Sequence, residues 1–122
     1  MAIVDIDHVQ VAAPRDGDSE TKARMFYGEL LGMPEIEKPD SLKPNGGVWF
    51  STGIGQLHIG LEEPFTPARK AHPAFVVDDL SELRARLRDA GIRFSDAQDI
   101  PGVDRLHVHD PFGNRLELMA RS

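Results

Sequence analysis

His107-Val108-His109-Asp110-Pro111-Phe112-Gly113-Asn114-Arg115-Leu116-Glu117-Leu118-Met119 reads as a strand, a tight Asp-Pro-Phe-Gly-Asn turn and a returning strand. In the returning strand Leu116 and Leu118 alternate with Arg115, Glu117 and Met119, so Glu117 faces away from the leucines. A carboxylate in the middle of a short strand is either part of a solvated outer face or the floor of a site. The rest of the chain decides between them.

Upstream of this hairpin, Pro101-Gly102 turns into the strand Val103 to His109, and Ile92 to Ile100 is a weak strand. Before these, Asp79 can cap a helix through Gly91 whose Leu80, Leu83, Leu87 and Ala90 form an apolar stripe. His72 to Asp78 is a strand with Phe75 and Val77 on one face and His72 and Ala74 on the other.

The first half has the same order. Residues 3 to 13 alternate as a strand that Pro14 ends, with His8 and Gln10 opposite Val9 and Val11. Asp18 or Ser19 caps a helix to Leu31, stopped by Gly32. Met33 to Lys38 is a short irregular strand, Asp40 to Gly47 a polar turn region, and Gly47 to Thr52 a strand by residue type. Gln56 to Glu62 is the cleanest alternation in the chain. The expected fold is α+β: one domain, 1–122, of two βαβββ modules, 1–63 and 71–122, joined by a linker at 64–70.

The two halves also align residue by residue. Laying His58 over Glu117 aligns Gln56-Leu57-His58-Ile59 with Arg115-Leu116-Glu117-Leu118, and His8 falls on His72. The first and last strands of each half therefore carry a metal-capable residue on the face away from their apolar partners. Any one of these histidines is ordinarily a structural or surface residue, but four at equivalent positions make a candidate ligand set. Imidazole and carboxylate donors suit one divalent ion such as iron, manganese, nickel, cobalt or zinc.

Composition narrows the partners. The net charge of −6 and the absence of a basic stripe argue against nucleic-acid or anionic-membrane binding. No apolar run is long enough to span a bilayer. The acidic start, without a basic n-region, leads to the expectation of a cytoplasmic protein with no signal peptide. Zero cysteines removes disulfides, thiolate zinc sites and cysteine nucleophiles together. The sequence shows no phosphate loop, nucleophile elbow or nicotinamide fingerprint.

The blocks Asp7-His8-Val9-Gln10-Val11, Arg24-Met25-Phe26-Tyr27-Gly28-Glu29-Leu30-Leu31-Gly32-Met33, Ala71-His72-Pro73-Ala74-Phe75 and Asp110 to Leu118 resemble the vicinal oxygen chelate superfamily. That superfamily holds glyoxalase I, fosfomycin-resistance transferases, extradiol dioxygenases, methylmalonyl-CoA epimerase and bleomycin-resistance proteins. The resemblance covers essentially the whole chain and implies curved sheets that enclose a metal cup, often in a homodimer. It maps the metal ligands to His8, His72 and Glu117, with the fourth position on His58. Glyoxalase I enzymes typically place a glutamate there, so His58 is open to three roles: ligand, base or cup wall.

The implied activity is that of a glyoxalase-like, metal-dependent lyase or isomerase that binds a small oxygenated substrate and stabilises an enolate or oxyanion. The charge sum of +2 for the ion and −1 for Glu117 favours an anion or enediolate. Isomerisation needs a base, and His107 is the spare candidate beside His58; it is equally readable as a solvent-facing histidine. Gln10, Trp49, His107 and Met119 are candidate substrate contacts, and Gln10 and Gln56 can also orient ligands. His109 is expected at the rim or on the surface, and Asn114 and Gly113 are assigned to left-handed turn geometry. The alternatives are an iron(II) extradiol dioxygenase using His8, His72 and Glu117, a fosfomycin-type thiol transferase, and a non-enzymatic antibiotic-binding protein of the bleomycin-resistance kind.

Overall fold

The computed structural model describes residues 2–97 and 100–121. The chain divides into two compact units, Met1–Thr66 and Pro67–Ser122, each built on its own four-stranded sheet.

The first unit runs β1 (His8–Pro14), helix α1 (Ser19–Ala23) continuing as a π-helix (Arg24–Leu30), β2 (Glu35–Ile36), a 3-10 helix (Asp40–Asn45), β3 (Val48–Ser51) and β4 (Gln56–Glu62). The sheet order is β1-β4-β3-β2, with β1 parallel to β4 and the other pairs antiparallel. Its core face is apolar by alternation: Val48, Phe50, Leu57 and Ile59 are buried with Phe26 and Tyr27 from the helix. Tyr27 meets Phe26 edge-on at 5.0 Å and Phe50 at 5.9 Å between ring centroids. These aromatics fix the helix on the sheet.

Two expectations for this unit need correcting. Residues 3–7 alternate but are not strand, because β1 pairs with β4 from His8↔Gln56 onward and Gln56 is where β4 begins. Without a partner strand, alternation alone has no ladder to join. The polar stretch after Pro39 is not merely a turn: Asp40–Asn45 forms a 3-10 helix that ends in Gly46 at φ +73°.

The second unit runs β5 (Ala74–Val76), α2 (Leu80–Asp89), β6 (Phe94–Asp96), β7 (Val103–His109) and β8 (Arg115–Arg121), in sheet order β5-β8-β7-β6. Asp79 caps α2 by accepting from the Glu82 N–H at 3.0 Å, and Gly91 at φ +72° closes it. Leu80, Leu83 and Leu87 bury the apolar stripe, while Leu106, Val108, Leu116 and Leu118 form the sheet's core face.

The 110–114 turn is built by side chains. Asp110 Oδ1 accepts from the N–H groups of Phe112 and Asn114 at 2.9 and 2.8 Å, and Oδ2 accepts from Asn114 Nδ2 at 2.9 Å. Gly113 supplies the positive φ, +94°, as expected. Asn114 does not: no non-glycine residue among those described has positive φ, and Asn114 serves through its amide.

β4 and β8 match position by position. Both are seven residues long, and both read half-buried, three buried, two half-buried, one exposed. Strand pairing carries the match to the neighbours: Gln10 and Trp49 flank His58 in one sheet as Ala74 and His107 flank Glu117 in the other.

Candidate metal centre

In the second unit Glu117 is the third residue of β8, its N–H donating to the Pro73 carbonyl at 3.0 Å. Three groups meet its Oε1: His72 Nε2 at 3.1 Å, Arg105 Nη1 at 3.3 Å and His107 Nε2 at 3.4 Å. Burial pushes the carboxyl upward, but His72 and Arg105 outweigh it and hold Glu117 below the ordinary value of 4.5.

The proton count at His72 is informative. Its Nδ1 lies 2.8 Å from the Lys70 carbonyl, which can only accept, so Nδ1 carries a proton. Its Nε2 faces a second acceptor, Glu117 Oε1. A neutral ring would set a lone pair against the carboxylate. The pair is satisfied only by an imidazolium or by a cation standing where the second proton would be.

His107 is held differently. Arg115 Nη2 lies 3.3 Å from its Nδ1 and 3.4 Å from its Nε2. The two lone pairs diverge in the ring plane, so near-equal distances put the guanidinium over the ring face. Burial first, then the Arg115 charge, lowers the His107 pKa below 6.5, which keeps the ring neutral at pH 7 and able to donate a lone pair.

These donors fit a first-row divalent ion. His72, His107 and Glu117 offer two nitrogens and one oxygen, all within 4.8 Å of one another. Adjacent ligands on bonds of about 2.1 Å stand about 3 Å apart, close to the 3.1 and 3.4 Å separations from Glu117. Two imidazoles and a carboxylate are also a donor set that leaves positions open for substrate.

The first unit places its two expected residues in a stack. His58 lies between His8, with centroids 4.1 Å apart and planes 15° from parallel, and Trp49, at 3.7 Å and 2°. A metal must lie near the plane of each imidazole that binds it. Two nearly parallel rings at this separation cannot share one ion without a ring rotation. As oriented, His58 Nε2 donates to Gln56 Oε1 at 2.8 Å, leaving the lone pair on Nδ1. Burial, then the neighbouring His8, lowers the His58 pKa below 6.5. This is a neutral imidazole in a fixed plane, with the character of a base.

The remaining expected residues divide. Gln56 does hold a histidine, His58. Trp49 is a stacking partner in the column. Gln10 is exposed, with its amide against Gly60. Met119 is half-buried and pairs with Arg105 across the hairpin. His109 is exposed, as expected for a rim or surface residue. Sequence reasoning gave Arg105 and Arg115 no role; their only signal was parity with His107 and Glu117 on the two hairpin strands.

The chain matches the model of the Glyoxalase/Bleomycin resistance protein/Dioxygenase superfamily over residues 6–118. It belongs to that superfamily. A glyoxalase family protein from Bacillus anthracis has a structure similar to this one, with 50% identity, a TM-score of 0.94 and coverage of 100% of this chain and 98% of that one. Glyoxylase I 4 of Arabidopsis thaliana is 28% identical over 126 residues, covering 95% of this chain and 70% of its own. The structure of lactoylglutathione lyase from Agrobacterium tumefaciens shares the fold at 20% identity and a TM-score of 0.74, covering 98% and 96%. Among the described residues, no helix is long and apolar enough to cross a membrane.

Proposed function

We propose that the protein is a glyoxalase-like enzyme of the lyase or isomerase type that works with one divalent metal ion on a small oxygenated substrate. The observation that carries this is His72, whose two ring nitrogens both face acceptors, 2.8 Å from Lys70 O and 3.1 Å from Glu117 Oε1. A metal ion bound by His72, His107 and Glu117 would supply Lewis acidity toward a substrate oxygen.

The chain's own groups do the rest. The Lys70 carbonyl fixes the His72 tautomer that turns Nε2 toward Glu117. The His107 ring is kept neutral by burial and by Arg115. Of the four ligand positions expected from the sequence, His8 and His58 belong to the first unit, and the metal reading rests on the second-unit donors alone. Within the first unit His58 keeps the character of a base on its own account, because it is neutral and its Nδ1 lone pair is uncommitted by the Gln56 bond. A homodimer is part of the same proposal.

The test is metal analysis of untagged protein, as isolated and after apo-protein is offered iron, manganese, nickel or zinc. About one equivalent is expected. Failure of all four to bind near one equivalent overturns the metal-dependent reading. Lactoylglutathione formation is the first reaction to assay on the loaded protein, since a structural relative carries the name of that lyase.

A further inference from the structure

Of the chain's two asparagines, Asn45 and Asn114, the fold secures only one. Asn114 is 6% exposed and its Nδ2 donates to Asp110 Oδ2 at 2.9 Å, so its amide is held in place. Asn45 is exposed, and its side-chain amide has no hydrogen-bond partner among the described residues. It ends the 3-10 helix Asp40–Asn45, and Gly46 and Gly47 follow it. A glycine in the next position presents a peptide nitrogen that no side chain of its own shields.

Asparagine is among the chemically labile residues, and here its usual attacker stands beside it. The Gly46 nitrogen bonds to Asn45 Cγ, the Cγ–Nδ2 bond breaks, and the proton given up by the peptide nitrogen leaves with the amide as ammonia. The product is a succinimide ring. Water then opens the ring at either carbonyl. Aspartate results when the original peptide link is kept, and isoaspartate when the link passes to the side-chain carbonyl. Water is consumed and ammonia released, so the reaction needs no oxidant and no second protein.

One bond stands in the way. The Gly46 N–H donates to the Lys43 carbonyl at 3.1 Å and closes the last turn of the 3-10 helix. The nitrogen can attack only when that turn opens, and 3-10 turns have poorer hydrogen-bond geometry than α-helical ones. Two cations brace the turn: Arg15 Nη1 donates to the Asn45 carbonyl at 3.4 Å, and Lys38 Nζ donates to the Gly46 carbonyl. We infer that Asn45 is a site of spontaneous deamidation, timed by the opening of this last turn and slowed by the Lys38 brace. The inference stands apart from the metal reading and survives its failure.

The two products differ in what they do to the sheet. Aspartate keeps the main chain and adds a charge at an exposed position. Isoaspartate inserts an extra carbon into the main chain just before Gly46, where there is no slack. The Gly47 N–H is fixed by Glu20 Oε2 at 2.7 Å, and a Cβ at Gly47 would stand 2.3 Å from the Ile59 carbonyl oxygen. Val48 then pairs with Ile59 and Trp49 with His58, so a shift at Gly47 passes straight into β3 and the Trp49–His58 stack.

Folded protein held in mildly alkaline buffer at physiological temperature, with a urea-unfolded sample alongside, tests this by peptide mapping. Asn45 should convert in the folded protein severalfold more slowly than in the unfolded sample, with isoaspartate the major product, while Asn114 stays intact in the folded protein. Lys38→Met should speed the folded-state conversion severalfold and leave the unfolded rate unchanged, which separates the brace from the chemistry. No conversion at Asn45 in the folded sample once the unfolded sample has reacted overturns the inference, and so does conversion of Asn114 alongside it. An unchanged folded-state rate in Lys38→Met overturns the brace. Asn45→Asp should melt like the wild type with the same Trp49 emission, whereas the isoaspartate form, isolated by chromatography, should melt lower with altered emission. An isoaspartate form that matches Asn45→Asp in both overturns the consequence drawn for the sheet.

Discussion

Trp49 lies flat on His58, with ring centroids 3.7 Å apart and planes within 2° of parallel. Trp49 is the one tryptophan of the chain, so its emission reports on that histidine. The His58 pKa is lowered below 6.5, by burial first and by His8 next. An imidazolium in contact with indole quenches it. Emission of the folded protein should therefore rise with pH through a midpoint on the acid side of 6.5, and His58→Gln should abolish the step. A midpoint above 6.5 would contradict the burial argument.

The same shifts set an acid limit on stability. His58 and His107 both have folded pKa values below the ordinary 6.5, so the unfolded chain binds protons there that the native state does not. Their contribution is fully present above 6.5 and is lost as pH falls toward the folded values. Glu117 is depressed below 4.5, so its contribution is present above 4.5 and lost as pH falls through its own lower value. Urea midpoints of metal-free protein should decline in two stages, the first beginning near pH 6.5. Glu117→Gln should flatten the second stage and deepen the first, because the Glu117 charge and hydrogen bond partly offset the lowering of the His107 pKa.

Glu117→Ala should abolish metal binding while leaving the fold intact. Metal affinity should fall by well over about a hundredfold, since loss of an outer-shell partner alone costs 10–100-fold. Circular dichroism should be unchanged, because Leu116 and Leu118 point into the core on the other face. Retained affinity would remove Glu117 from the ligand set.

Gly47 and Gly60 should respond differently to alanine. A Cβ at Gly47 would stand 2.3 Å from the Ile59 carbonyl oxygen, on a backbone at φ +92°. Gly47→Ala should cost about 3 kcal/mol or more, because neither backbone can give way cheaply. At Gly60 the nearest atom is Gln10 Nε2 at 2.7 Å, the far end of a flexible side chain. Gly60→Ala should cost less than about 1 kcal/mol and displace the Gln10 amide instead. Thermal melts of the two variants decide.

Asp110→Ala should destabilise by about 2–4 kcal/mol, since it strips the Phe112 and Asn114 N–H groups and the Asn114 amide of one shared acceptor in a buried turn. The turn also fixes the pairing of His107 with Glu117, so metal affinity should drop alongside stability. Loss of stability with unchanged metal binding would separate the turn from the site.

Much of this was legible in the residues. Alternation from Gln56 to Glu62, and the Pro101-Gly102 turn ahead of Val103 to His109, gave both strands with their observed limits, and Asp79 gave the start of α2. Residues 3–7 misled because alternation says nothing about whether a partner strand extends that far. The π-helical continuation Arg24–Leu30 was not visible either: its Leu31 N–H to Phe26 carbonyl bond at 2.9 Å keeps the apolar spacing of an ordinary helix plausible by eye. For the site, the internal repeat pointed to His72 and Glu117. The roles of Trp49, Arg105 and Arg115 depend on cross-strand register, and an arginine on a strand looks the same in sequence whether it faces water or a carboxylate.

The parallel pairing of β1 with β4 and of β5 with β8 bears on how the protein is made. His8 pairs with Gln56, 48 positions away, and Ala74 with Glu117, 43 positions away. Each half is a loop closed by its own first and last strands, the kind of long-range contact that forms late and slowly. His58 and Glu117 are both delivered by those closing strands. A nascent chain therefore acquires neither the stacked column nor the cluster of His72, His107 and Glu117 until the half that carries it has been completed.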